Sequence, residues 1–164
     1  MKPAICLILL LQMTGGLGRL HAETDVRLVN AVKHVDPVAV RALLKEGVDV
    51  NAGEADGTSP LHWAVHRDDV ETAKLLIEVG ALVTAANRYG VQPLSLACVN
   101  GNPVMIDILL TAGADPNTRF AGGETALMTA ARTGIVGAVE KLLAHGANAN
   151  ATETWRGQTA LMWA

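Results

Sequence analysis

A spacing of 33 residues, held in register along the chain, limits what this sequence can fold into. Gly47, Gly80, Gly113 and Gly146 recur at that interval, and so do Ala31, Ala64, Ala97 and Ala130. Leu28, Leu61, Leu94 and Leu127 keep it as well, as do the apolar pairs Leu43-Leu44, Leu76-Ile77, Leu109-Leu110 and Leu142-Leu143. Independent columns sharing one period describe a stack of like units, each burying its apolar face against its neighbours. Half of the chain is apolar but only 3% is aromatic. That balance suits small, closely packed helices built on Ala, Leu and Val better than one large core.

Within each unit the punctuation is helical. Ser59 and Thr125 stand where a hydroxyl caps the free N–H groups of a helix start. Pro60 and Pro93 fit the first helical position, which needs no donor. Gly80, Gly113 and Gly146 close a second helix. The pattern predicts first helices near 60–67, 93–100 and 126–133, and second helices near 70–78, 103–111 and 136–144. In the opening unit the first helix is expected to start near Thr24 or Asp25, with Arg27, Asn30, Lys33 and His34 as the wet face of an N-terminal cap.

The segment Asp56-Gly57-Thr58-Ser59-Pro60-Leu61-His62-Trp63-Ala64 resembles the signature of the ankyrin-repeat family, and Gly113-Ala114-Asp115-Pro116-Asn117 and Gly146-Ala147-Asn148-Ala149-Asn150 resemble its closing turns. The likeness covers residues 23–164. Two copies depart from it: Gln92 and Ser95 replace a hydroxyl and a histidine, and Ala126 and Met128 replace a proline and a histidine, which weakens capping and bonding there. The resemblance implies an all-α solenoid of antiparallel helix pairs joined by β-turn or hairpin loops. It also implies that His62 hydrogen-bonds neighbouring turn backbone. The units read as an N-terminal cap repeat 23–55, repeats 56–88, 89–121 and 122–155, and an incomplete repeat 156–164. That last copy restarts at Gly157, one residue out of register, and stops inside its first helix, so the sequence reads as a piece of a longer protein.

Residues 1–22 stand apart. Lys2, an apolar run from Ala4 to Leu11 and the ending Leu20-His21-Ala22 have the layout of a secretory signal peptide cleaved before Glu23. The run is too short for a membrane span of about 20 residues, and Cys6 lacks the flanking residues of a lipid-modified cysteine. The mature chain is therefore expected to be periplasmic or secreted, with no stable membrane span. It keeps one cysteine, Cys98, best read as a buried thiol. Without Lys2 and Arg19 it has eleven basic and sixteen acidic residues, a formal charge of −5. This opposes binding to nucleic acid, which needs clustered cations.

Chemistry finds little footing. His62 and His66 are four apart on one helix, a spacing metal sites use, but a third ligand and an adjacent glutamate are missing. No residue pattern suits a nucleophile, and Asp68, Asp69 and Glu71 read as a solvated helix start. No catalytic residue, metal or cofactor is assigned, and the chain reads as a non-enzyme.

The resemblance implies binding through a concave groove of loop tips and first-helix faces. The period places tips near 52–56, 85–89, 118–122 and 151–156, and puts Trp63, His66, Leu96, Val99, Thr129, Arg132 and Trp163 on the outward face. All five aromatics (Trp63, Tyr89, Phe120, Trp155 and Trp163) fall on these surfaces, as binding anchors do. Candidate partner-contacting residues are Trp63, His66, Tyr89, Phe120, Arg132 and Trp155. Arg88, Arg119 and Arg156 add positive charge at the rim. The expected role is an interaction or scaffold module, monomeric, holding a protein or peptide. The other reading is a passive or regulatory repeat segment of a larger envelope or secreted protein, with a catalytic domain beyond residue 164.

Overall fold

The computed structural model describes residues 25–120 and 122–164; the proposed signal peptide lies outside them. Among the described residues there are eight α-helices, α1 (Arg27–Lys33), α2 (Pro37–Glu46), α3 (Pro60–His66), α4 (Val70–Glu78), α5 (Pro93–Asn100), α6 (Pro103–Thr111), α7 (Ala126–Thr133) and α8 (Val136–Ala144), followed by a 3-10 turn at Ala160–Met162. None exceeds ten residues. Helices that short are marginal alone, so packing must hold them. The odd-numbered helices line up in one row, with the 3-10 turn packing beyond α7, and α4, α6 and α8 form a second row behind them. This is the all-α solenoid of antiparallel pairs that the resemblance implies. Isolated antiparallel bridges, Arg119 with Thr125 and Thr152 with Thr159, close the hairpin tips of the last two copies.

The repeat columns account for the packing. The four column leucines (28, 61, 94 and 127) and the four column alanines (31, 64, 97 and 130) are all at most 8% exposed. Small side chains there let adjacent helices approach. The apolar pairs closing each second helix are graded instead. Leu43, Leu76, Leu109 and Leu142 are buried throughout, but their partners run from half-buried Leu44 and Ile77, through buried Leu110, to exposed Leu143. Cys98 is buried, and burial pushes its thiol up to about 12, so it packs as a small apolar group.

Caps follow the sequence with two adjustments. Ser59 and Thr125 accept from the N–H groups of His62 and Met128. Helix α1 begins at Arg27 rather than near Thr24, because the Asp25 carboxylate accepts the Arg27 N–H at 3.1 Å and holds its guanidinium at 2.8 Å. Asp69 caps α4, as its acidic run suggested. Asp68 is more than a solvated charge, since both its oxygens accept from the Asn102 amide, at 2.8 and 2.9 Å, across to the next repeat.

Polar ties between repeats are unevenly distributed. Asn51 donates to the Gly80 carbonyl and accepts from the Leu82 N–H, and Asn117 does the same with Gly146 and Asn148. Threonine stands at the intermediate position, 84, and its short side chain makes no such bridge. We expect Thr84→Asn to restore both bonds. At about 0.5–1 kcal/mol each for exposed groups, the gain should be near 1 kcal/mol, a rise in Tm of roughly 3 °C. A denaturation midpoint that does not move would show that these bridges contribute nothing.

Candidate functional site

His62 is the best-defined polar group in the stack. It is 1% exposed, and its Nε2 lies 3.0 Å from the Val91 carbonyl of the next tip. A carbonyl only accepts, so Nε2 carries the proton. Nδ1 then accepts from the Ser59 N–H at 3.2 Å and the Ser59 hydroxyl at 2.7 Å. Burial holds the imidazole below its ordinary 6.5, so the neutral ring is the folded form. His62 is thus a girder, as the resemblance implied. At the equivalent positions, Ser95 bonds only within its own turn, to the N–H and carbonyl of Gln92, and the Met128 sulfur accepts only from the Thr125 N–H. Local bonds survive in those two copies; what is lost is the reach into the next repeat.

Each candidate side chain can now be located. Trp63 is half-buried and packs on the core; its Nε1 donates to Glu54 Oε2 at 3.0 Å. The Lys33 ammonium sits 4.4 Å over its ring and pairs with Glu54 at 2.8 Å. His66, exposed, meets Trp63 edge-on with ring centroids 5.6 Å apart. Tyr89 is 66% exposed and Trp155 is 86% exposed, while Phe120 is half-buried against the core. Arg132 is exposed and lies 5.8 Å over the Trp163 ring. Thr129, placed outward by the period, is buried instead, with its hydroxyl directed at Glu124 from 3.5 Å.

Three of the six candidates come together. Tyr89, Phe120 and Arg132 line one hollow of about 220 Å³, floored by Val91, Leu96 and Val99 and edged by Glu124. Tips and first-helix residues of two successive repeats share it. Trp155 borders the next hollow along, about 330 Å³, with Arg156, Glu124 and Trp163. Trp63 and His66 form a separate cluster with Lys33 and Glu54.

The hollow lies where the stack is least tied. Between the tips of the second and third repeats, Arg88 donates to the Ala55 carbonyl at 2.7 Å and Asn87 to the Thr58 hydroxyl at 3.2 Å, beside the His62 bond. Between the last two tips, Arg119 donates to the Thr152 carbonyl at 2.9 Å and Thr154 to the Gly122 carbonyl at 3.3 Å. Between tips 85–92 and 118–125, no side-chain hydrogen bond forms among the described residues. The sequence supplies the reason: where the other junction has Asn51, His62, Asn87 and Arg88, this one has Thr84, Ser95, Phe120 and Ala121. On the far side the junction is still held, Asp107 pairing with Lys141 at 3.2 Å and His145 at 3.1 Å.

One expectation changes accordingly, and one further residue enters. Arg88 and Arg119 are tied to neighbouring backbone and serve mainly as rivets, not as free rim charge. Glu153, which the sequence reading passed over, turns inward and accepts the N–H groups of Trp155, Arg156 at 2.7 Å and Gln158 at 3.0 Å, which holds its carboxyl below the usual range. The extra residue in the last tip was the available signal: Glu54 and Glu153 share a repeat position, but the longer tip diverts the second carboxylate. Trp163 Nε1 is consequently buried with no acceptor among the described residues.

Comparison with known proteins agrees with this geometry. The family described as ankyrin repeats (three copies) matches residues 28–120 and 118–164. The chain belongs to the ankyrin-repeat family. Among curated proteins it is similar to the B-cell lymphoma 3 protein homolog of Mus musculus, 32% identical over 133 residues, covering 78% of this chain and 29% of that protein. It is also similar to the putative ankyrin repeat protein FPV233 of Fowlpox virus (strain NVSL), 39% identical over 57 residues, covering 34% of this chain and 11% of that protein. The aligned stretch spans less than a third of either relative. Ankyrin repeats generally mediate protein–protein interaction and are typically non-enzymatic modules. Among the described residues no group of three or more His, Cys, Asp or Glu is arranged to hold a metal ion, and no helix is long and apolar enough to cross a membrane.

Proposed function

We propose that this chain is an exported, monomeric interaction module that holds a protein partner against the hollow between its third and fourth repeats. One observation carries the reading. An apolar floor, an exposed phenol and an exposed guanidinium converge at the junction whose tips lack polar ties. Interfaces favour this composition, since Tyr and Arg anchors over an apolar centre dominate binding energy. The Trp63 cluster and Trp155 flank the hollow and extend the contact. The layout of residues 1–22 supports work outside the cytoplasm, and the acidic balance disfavours nucleic acid.

Expression of the full chain in a host with a secretory pathway, followed by capture of bound proteins from the exported fraction, tests the reading. The recovered bait should begin at Glu23. Tyr89→Ala should weaken the captured partner at least tenfold, about 1.4 kcal/mol, while leaving the melting curve unchanged. A bait beginning at Met1 argues against export. A partner that binds Tyr89→Ala normally argues against the hollow.

A further inference from the structure

Building on the groove reading, we infer that the partner contributes an extended, acidic segment with an apolar residue between its carboxylates. Lys33, His66, Val99 and Arg132 occupy one column of the repeat, a single line of side chains along the first-helix face. The column carries three basic residues and no acidic one, on a chain whose net charge is −3. Lys33 is committed to Glu54 and to the Trp63 ring. His66 and Arg132 remain exposed, and Val99, 60% exposed, lies between them.

The carboxylates on this side are mostly spent. Glu54 serves Lys33 and Trp63, Asp56 accepts the Thr58 N–H, and Glu153 serves the last tip. Only Glu124 faces the hollow with little else to bind, and it belongs to the tip side, opposite the helix column. A peptide lying along the helices therefore meets an imidazole, an apolar patch and a guanidinium in order. Adjacent packed helices are about 8–10 Å apart, which sets His66 and Arg132 roughly 20 Å from each other. A chain in the extended polyproline-II form advances about 3.1 Å per residue with about three residues per turn, so two carboxylates about six residues apart and an apolar residue midway between them face the same side.

The test uses a labelled nine-residue peptide with glutamate at its second and eighth positions, leucine at its fifth and glycine or serine elsewhere. Its binding to the full chain is followed by fluorescence anisotropy. Binding should be measurable at low ionic strength and fall steeply with salt. It should weaken about tenfold when the glutamates become glutamine, when the leucine becomes serine, or in the Arg132→Glu protein. Glutamine- or lysine-ended peptides that bind as well as the acidic one overturn the inference. If Tyr89→Ala abolishes that binding, the groove still stands and only the acid preference falls; if Tyr89→Ala leaves it intact, the groove falls too. Failure of every peptide to bind at roughly millimolar concentration also overturns the inference, while the capture experiment still reports on the groove.

Discussion

Trp63→Ala is expected to unfold the chain early, whereas Tyr89→Ala is not. Both are aromatic residues on the groove side, and the repeat alone ranks them together as contact residues that folding can spare. The structure separates them. The Trp63 ring packs on the core, its Nε1 bonds Glu54, and Lys33 covers one face. Fully buried Trp→Ala changes cost about 3–5 kcal/mol. A half-buried ring with a lost hydrogen bond should cost about 2–3 kcal/mol, a fall in Tm of roughly 5–10 °C. Tyr89 is 66% exposed, so its removal should stay within about 0.5 kcal/mol. Trp63→Phe keeps the packing and loses only the bond to Glu54, which Lys33 still partners, and should fall between them. Equal melting of Trp63→Ala and wild type would return Trp63 to the free contact surface.

That contrast marks how far the sequence can be read. The helices were legible almost to the residue, because apolar columns, caps and closing glycines repeat every 33 residues and each column has one physical task. The direction of polar side chains was less so. Nothing in the period says that Glu54 turns to Trp63 while Glu153, at the same repeat position, turns to backbone; one added residue in a tip decides it. Thr129 shows the same limit, since the column that exposes Trp63 and Leu96 in part closes over a smaller side chain. The hollow was legible in principle. Thr84, Ser95, Phe120 and Ala121 are each an unremarkable local departure. Their effect emerges only when the repeats are stacked, because all four fall at a single junction and remove its ties together.

The same junction makes Gly101→Ala more damaging, we expect, than the equivalent change at Gly134. Position 101 belongs to the column that turns each first helix toward its second, occupied by Val35, Asp68, Gly101 and Gly134, with φ of 55°, 57°, 71° and 70°. A side chain in this left-handed region costs roughly 1–2 kcal/mol. Val35 and Asp68 show that the stack tolerates that cost. Gly101 faces a second one. In the preceding junction, Asp68 and Asn102 tie the turns by hydrogen bonds. Here Ile135 stands at the position of Asn102 and rests on Gly101 instead. A Cβ on Gly101 would meet Ile135 Cδ1 at 2.2 Å and Cγ1 at 3.3 Å, whereas one on Gly134 meets nothing within 4 Å. Gly134→Ala therefore measures the backbone strain alone, about 1 kcal/mol. Gly101→Ala adds a clash with the end of the Ile135 side chain, which is 39% exposed and can turn partly aside at a rotamer cost of about 1 kcal/mol, for a total of about 2 kcal/mol. Shortening the neighbour supplies the control. Ile135→Ala alone should destabilise through lost packing, but in the Gly101→Ala background it should relieve the clash, giving a coupling of about 0.5–1 kcal/mol between the two sites in a double-mutant cycle. If the two glycine variants melt together and the cycle shows no coupling, Ile135 does not bear on Gly101 in solution, and the untied junction is looser than its packing implies.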